Sequence, residues 1–296
     1  MATATETSNQ TPAPPRPAYG KVFLTFARNS LIRDMTFRTN FLFQCVSSVA
    51  WTLMNLGFYL IVFQFAPSIG RNTGWEQPQF FLFLATTWII NSIVQAFFMP
   101  NAEEFSELIR TGGLDFALLK PIDTQFLVSF HKVDWSALSN FVAAIIILLW
   151  NAYLLATRST DPLYFSPLTL LLYTLFIGCG VLIMYSLMIC LSATSIWLGR
   201  NQTLYNFWFY ITNFSRYPME IYQRGWGWSL WGIFTFAIPV LVVVNVPARL
   251  LAQPLRPQQT WEILLSLFGV FATLASIFAS RWVFQRALAS YRSASS

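Results

Sequence analysis

Long, uninterrupted apolar runs constrain this chain more than any motif does. They cover residues 41–66, 79–99, 141–155, 167–198, 203–217, 226–246 and 260–284. About 20 apolar residues are enough for a helix to cross a bilayer. The runs are continuous rather than weakly alternating, which argues for helical spans over a barrel. Only 10% of the 296 residues are charged, against about 25% in soluble domains, too few to cover a water-soluble surface of this length. The expected fold class is an all-α integral membrane protein.

Charge placement sets the number of crossings. Lys21, Arg28, Arg33 and Arg38 precede the first run, and Arg281, Arg286 and Arg292 follow or end the last. Positive residues collect on the cytoplasmic side of a membrane, so both termini are expected there and the count must be even. Six spans result, and two assignments of the fifth stay open. In the favoured one, 202–217 crosses and 226–246 enters and returns on one side, because Pro218, Gly225, Gly227, Gly232 and Pro239 interrupt it. In the other, 202–224 lies on the inner surface and 226–246 crosses. Both put 247–258 outside. Residues 1–18, polar and Pro-rich, read as a disordered tail rather than a signal peptide. Residues 19–40 read as an amphipathic helix on the membrane surface, and 19–292 as one membrane domain.

Between the second and third runs, residues 101–125 hold five of the chain's twelve acidic residues, Glu103, Glu104, Glu107, Asp115 and Asp123, with Arg110 and Lys120. From 103 to 110 the pattern is that of a short amphipathic helix with Phe105, Leu108 and Ile109 on one side. Thr111-Gly112-Gly113 breaks it. A second short segment, 114–119, sets Leu114, Phe116, Leu118 and Leu119 beside Asp115, and Lys120-Pro121 stops it. A solvated loop would also look like this; a docking surface is the sharper reading.

Several chemistries find no residues here. His131 is the only histidine and has no metal-ligand spacing around it. Cys45, Cys179 and Cys190 lie in apolar runs and form no disulfide framework. No GxxxxGK[ST] loop is present to bind a nucleotide, and no activated nucleophile is evident. The acidic residues fall in loops or at interfaces, so a proton relay lacks its parts. The net charge of +6 follows from the residues flanking the spans and needs no nucleic acid. Neutral polar residues do occur inside spans. Thr87, Asn91 and Gln95 are four apart on one helical face, and Asn206, Tyr210 and Asn213 repeat the arrangement; they are expected either to bond between helices or to line a translocation path. Gly178 and Gly180 read as close-approach positions.

Three stretches carry a resemblance: IRTGGLDFALLKPID at 109–123, RYPMEIY at 216–222, and FAIPVLVVVNVPARLLAQPL at 236–255. With the order of spans, they make the chain similar to the membrane (permease) subunit of a bacterial type-2 ABC exporter, over roughly 19–291. The resemblance implies a surface helix before the first span, a cytoplasmic coupling element at 101–125, and a re-entrant, external region at 218–258. It implies two permease subunits, identical or homologous sisters, above two separate ATPase subunits that carry the ATP-Mg. It also makes Glu104, Glu107, Arg110, Asp115 and Lys120 the docking residues, in the bacterial inner membrane. The expected function is ATP-driven export of a hydrophobic or amphipathic substrate. A rival of another class is a non-transporting membrane scaffold or sensor that holds a soluble partner through the same loop.

Overall fold

A computed structural model describes residues 18–69, 74–159, 162–198, 202–223, 225, 227–253 and 260–291, with only the backbone described for 202–207. The tail before Ala18 lies outside the described residues. Thirteen α-helices are described. They are α1 (Tyr19–Thr36), α2 (Arg38–Phe65), α3 (Gln77–Phe97), α4 (Met99–Thr111), α5 (Gly113–Leu118), α6 (Thr124–Phe130), α7 (Leu138–Ala156), α8 (Pro167–Ala193), α9 (Ser195–Leu198), α10 (Gln202–Asn213), α11 (Gly227–Gly232), α12 (Val240–Ala252) and α13 (Thr260–Ser290). Among the described residues the only β pairing is an isolated bridge between Ser68 and Glu76.

Local chemistry sets several boundaries. Glu76 and Gln79 form a reciprocal capping box at the start of α3, with Pro78 in its first turn. Ser166 accepts from the Thr169 amide ahead of α8, and Pro167 opens the helix. Gly112, at φ 73°, ends α4 in the left-handed conformation that glycine adopts at least cost. Among the described residues five helices are long and apolar enough to cross a membrane, and six if the bent pair α11–α12 counts as one span.

The core forms around α3. In its most apolar window 72% of residues are buried, against 11% in α2, so α3 is central and α2 peripheral. α3 packs against α7, α8 and α12, and Leu82, Phe83, Ala85 and Ile90 are fully enclosed.

One close approach holds the centre together. A methyl group at Gly180 of α8 would stand 2.8 Å from the Val243 carbonyl oxygen of α12. That oxygen is the acceptor residue 247 would have used, and Pro247 has no N–H to give. The glycine and the proline thus meet at one carbonyl. Gly178 has nothing within 4 Å of a Cβ and is not a close-approach position. Pro247 also sits inside α12: the helix continues to Ala252, and residues 247, 248, 250, 251 and 252 are buried, so the first six residues of the 247–258 segment are helical.

Along α13 the register of the preceding chain reverses. Trp231 lies against Trp261 (5.9 Å between ring centroids) and Phe236 against Phe268 (5.2 Å). After a bend of 86°, Val242 faces Gly269 and Arg249 faces Glu262. The chain from 231 to 249 therefore runs toward the middle of α13 and returns to the end it left.

Candidate functional site

The 101–125 segment is built against the ends of α8 and α13. Asn101, 2% exposed, anchors its start: its amide donates to the Phe97 and Lys132 carbonyls, both at 2.7 Å, and its oxygen accepts from the Lys132 amide. The apolar side of α4 turns inward, with Phe105 buried and Leu108 and Ile109 partly buried. Phe105 meets Phe284 of α13 (5.7 Å) and shares a cluster with Leu114, Ile189 and Ala193. The hydroxyls of Ser106 and Ser195 are 3.0 Å apart.

At the other end of the segment, Asp123 caps α6 through the Phe126 amide (2.9 Å). The same carboxylate takes both guanidinium nitrogens of Arg281, at 3.1 and 2.6 Å. Gln125 accepts from Arg281 as well (2.9 Å) and donates to the Tyr185 hydroxyl (3.1 Å). The Arg281 hydrogen bonds hold the Asp123 carboxyl below its ordinary value, with burial opposing. This bidentate clamp ties the segment to α13.

The five residues expected to dock a partner divide in three. Glu104 is turned inward, 3.0 Å from Lys132 Nζ and 3.4 Å from His131 Nδ1. Burial pushes its carboxyl up, but His131 and Lys132 outweigh it and the net shift is down. Its role is to hold α4 to the 131–132 segment. Glu107 and Arg110 form an exposed pair within one helical turn, and Lys120 is exposed. Asp115 faces the Tyr291 hydroxyl at the end of α13. What the charge pattern did not single out is an apolar ridge: Phe116 is 73% exposed and Leu119 81%, with Leu118 between α5's buried face and solvent.

The residues expected to line a path also separate. Thr87 is buried and bonds the Phe83 carbonyl of its own helix (3.0 Å), so it belongs to the core. Asn91 and Gln95 are half-buried. The side chain of Asn206 is outside the described residues, Tyr210 is exposed, and Asn213 Oδ1 is buried with no hydrogen-bond partner among the described residues. Gln95 opens onto a cavity of about 540 Å³ where α1, α2, α3, α4 and α10 meet. The polar stripe of α3 therefore starts in the core at Thr87 and emerges at Gln95. The hydrogen bond between helices is made instead by Thr86, 3.0 Å from the Tyr173 hydroxyl of α8.

At the opposite end of the bundle, Arg249 of α12 reaches Glu220 and, at 3.4 Å, Glu262 of α13. All three side chains are at most 16% exposed. The sequence reading put Arg249 in the outward-facing 247–258 segment, Glu220 in the 218–258 region and Glu262 in the last span, and saw no such cluster. No group of three His, Cys, Asp or Glu among the described residues is arranged to hold a metal.

An all-helical bundle with five or six apolar helices of crossing length defines a multi-pass membrane protein. The chain matches the family described as ABC-2 family transporter protein over residues 49–295, most of its length, and it belongs to that family. It is thus a membrane component of an ABC transporter and not itself a catalyst; the family generally works with ABC ATPase partners and dimerises. No curated protein and no solved structure matches the chain.

Proposed function

We propose that this chain is the permease subunit of an ATP-driven exporter that moves a hydrophobic or amphipathic substrate out of the cytoplasm or inner leaflet. Its ATPase subunits are separate chains carrying ATP-Mg, and a second permease subunit, identical or a sister, completes the pore. The observation that carries the reading is the construction of 101–125. One face is bolted to α13 through Phe105–Phe284 and Asp123–Arg281 and to α8 through Gln125–Tyr185, and the other presents Phe116, Leu118 and Leu119 to water. Exposed apolar side chains together with the exposed charges of Glu107, Arg110 and Lys120 in one short segment have the composition of a protein-binding patch. Force on the ridge passes directly into two long helices, so nucleotide-driven closure of the ATPases would shift the permease between two states.

In this reading the 101–125 end is cytoplasmic, as are both termini, and the membrane is the bacterial inner membrane. α1 lies on the membrane surface. The fifth crossing is α10 with the turn that follows it: Phe209 borders the cavity beside Gln95, and Tyr217 reaches Tyr59 near the far end of α2. The reversal at 238–239, with both arms returning to the start of α13, supports a re-entrant hairpin entering from outside. A non-transporting scaffold would use the same ridge without needing it fixed to the spans.

The test is to recover the tagged chain from its native membrane, wild type and with Phe116→Asp/Leu119→Asp or Glu107→Arg/Asp115→Arg. A co-purifying ATPase that hydrolyses ATP and disappears with the ridge variants supports the proposal. Recovery of the chain with no ATPase overturns it in favour of the scaffold.

A further inference from the structure

We infer that the cavity where α1, α2, α3, α4 and α10 meet binds the headgroup of an amine-bearing amphiphile. The inference rests on the exporter reading only in calling that amphiphile the substrate; the binding stands or falls by itself.

At about 540 Å³ the cavity is within the range of small-molecule sites, roughly 300–1,000 Å³. That suits a headgroup with its first methylenes. Gln44 comes from the first two turns of α2 and Gln95 from the last turn of α3. The cavity is therefore level with one end of the apolar helices, where headgroups lie. Neither amide has a hydrogen-bond partner among the described residues. Gln95 is half-buried and Gln44 exposed, so both amides are free to bond a polar ligand group that enters the cavity.

Charge decides which ligand fits. Asp34, Glu103 and Asp134 line the cavity against one cation, Arg33: three carboxylates less one guanidinium leave two negative charges. Arg33 is committed to Asp34 at 3.7 Å. Asp134 directs Oδ1 to the Ser136 amide and hydroxyl and the Ala137 amide, and forms no ion pair among the described residues. Burial pushes the Asp34 carboxyl up, Arg33 opposing, so an incoming cation would stabilise its charge. Phe209 supplies an aromatic ring to the same cavity; Arg216 lies over that ring at 5.8 Å, so an entering ammonium group would have to use its other face. A phosphate, sulfate or fatty acid would meet repulsion from the same walls.

The experiment uses the full chain in phosphatidylcholine nanodiscs, with empty nanodiscs as background. A fluorescent pyrenyl-alkylamine is titrated and then competed with dodecylamine, dodecanol or dodecanoate. Saturable binding that dodecylamine displaces at least about tenfold better than the alcohol or the acid is expected, since one uncompensated charge pair is worth at least that much. Asp34→Asn/Glu103→Gln should lose about tenfold in amine affinity with dodecanol unaffected. Glu103→Gln alone, at an exposed position that does not threaten folding, should lose severalfold. Amine and alcohol binding alike, or Glu103→Gln and the double variant binding as wild type does, overturns the assignment. ATPase co-purification is read on the same preparations. An ATPase without amine preference removes the headgroup site and leaves the exporter; amine preference without an ATPase leaves the site and removes the exporter.

Discussion

At the 101–125 end of the bundle, Asp123 and Arg281 meet with 31% and 44% of their side chains exposed. At the other end Arg249, Glu220 and Glu262 meet at 14%, 16% and 12%. Both clusters join α13 to a distant segment, but they obey different energetics. Exposed pairs are worth about 0–1 kcal/mol because water and salt screen them. A buried charge that loses its partner costs about 3–5 kcal/mol. At the first end the ion pair adds little, and the attachment rests on the buried Phe105 cluster beside it. The second is committed: two carboxylates around one guanidinium must stay together or leave charge stranded. The buried cluster also fastens the arm of the 231–249 hairpin that returns along α13.

The largest expected effect breaks that cluster. Arg249→Met should destabilise the protein by about 3–5 kcal/mol, measured as a fall in the thermal unfolding midpoint in detergent. Arg249→Met/Glu220→Gln/Glu262→Gln should recover much of the loss, because the stranded charges go as well. If the single variant melts like wild type, the cluster is no clasp and the contrast between the two ends fails. Next comes the central contact. Gly180→Ala sets a methyl 2.8 Å from the Val243 carbonyl and should cost about 1–3 kcal/mol as overpacking. Gly178→Ala, with open space around it, should be within about 0.5 kcal/mol of wild type. Equal melting of the two variants would show that α8 and α12 do not meet at that carbonyl.

These two glycines also mark what the sequence could and could not reveal. They are one residue apart in the same apolar run, and only the crossing of α8 with α12 tells them apart. Features written in neighbouring residues were legible: the helix expected from Glu103 to Arg110 lies inside α4, which begins earlier, at Met99, and its glycine stop and the short segment after it fall within a residue of where turn chemistry put them. Pairings across the chain were not. Asn101 and Lys132 are 31 residues apart, and Asp123 and Arg281 are 158 apart. Glu104 looked like any other loop acid until Lys132 stood beside it. Arg249 was expected in the outward-facing segment 247–258, with nothing to show that helix α12 runs through it. Counting charges located the loop, whereas the apolar ridge on α5 needed the fold to show which leucines and phenylalanines found no core.

The exposed end predicts weaker effects, and they depend on pH. Asp123→Asn should cost about 1 kcal/mol or less at neutral pH. Asp123 is held below its ordinary 3.8. Its contribution is therefore fully present above that value and is lost as the pH falls through the lower folded value. Wild type and Asp123→Asn should melt at different temperatures at pH 7 and converge in acid; a gap that widens in acid would reverse the sign of the argument. Smallest of all for stability is the ridge. Phe116→Asp buries nothing and strands nothing, so its unfolding midpoint should stay within about 0.5 kcal/mol of wild type. If the two ends differ as argued, this variant keeps its fold and loses its partner, whereas Arg249→Met loses fold first. A Phe116→Asp protein that unfolds would instead show that the ridge packs against its own chain, and the surface offered to an ATPase would have to be sought among Glu107, Arg110 and Lys120.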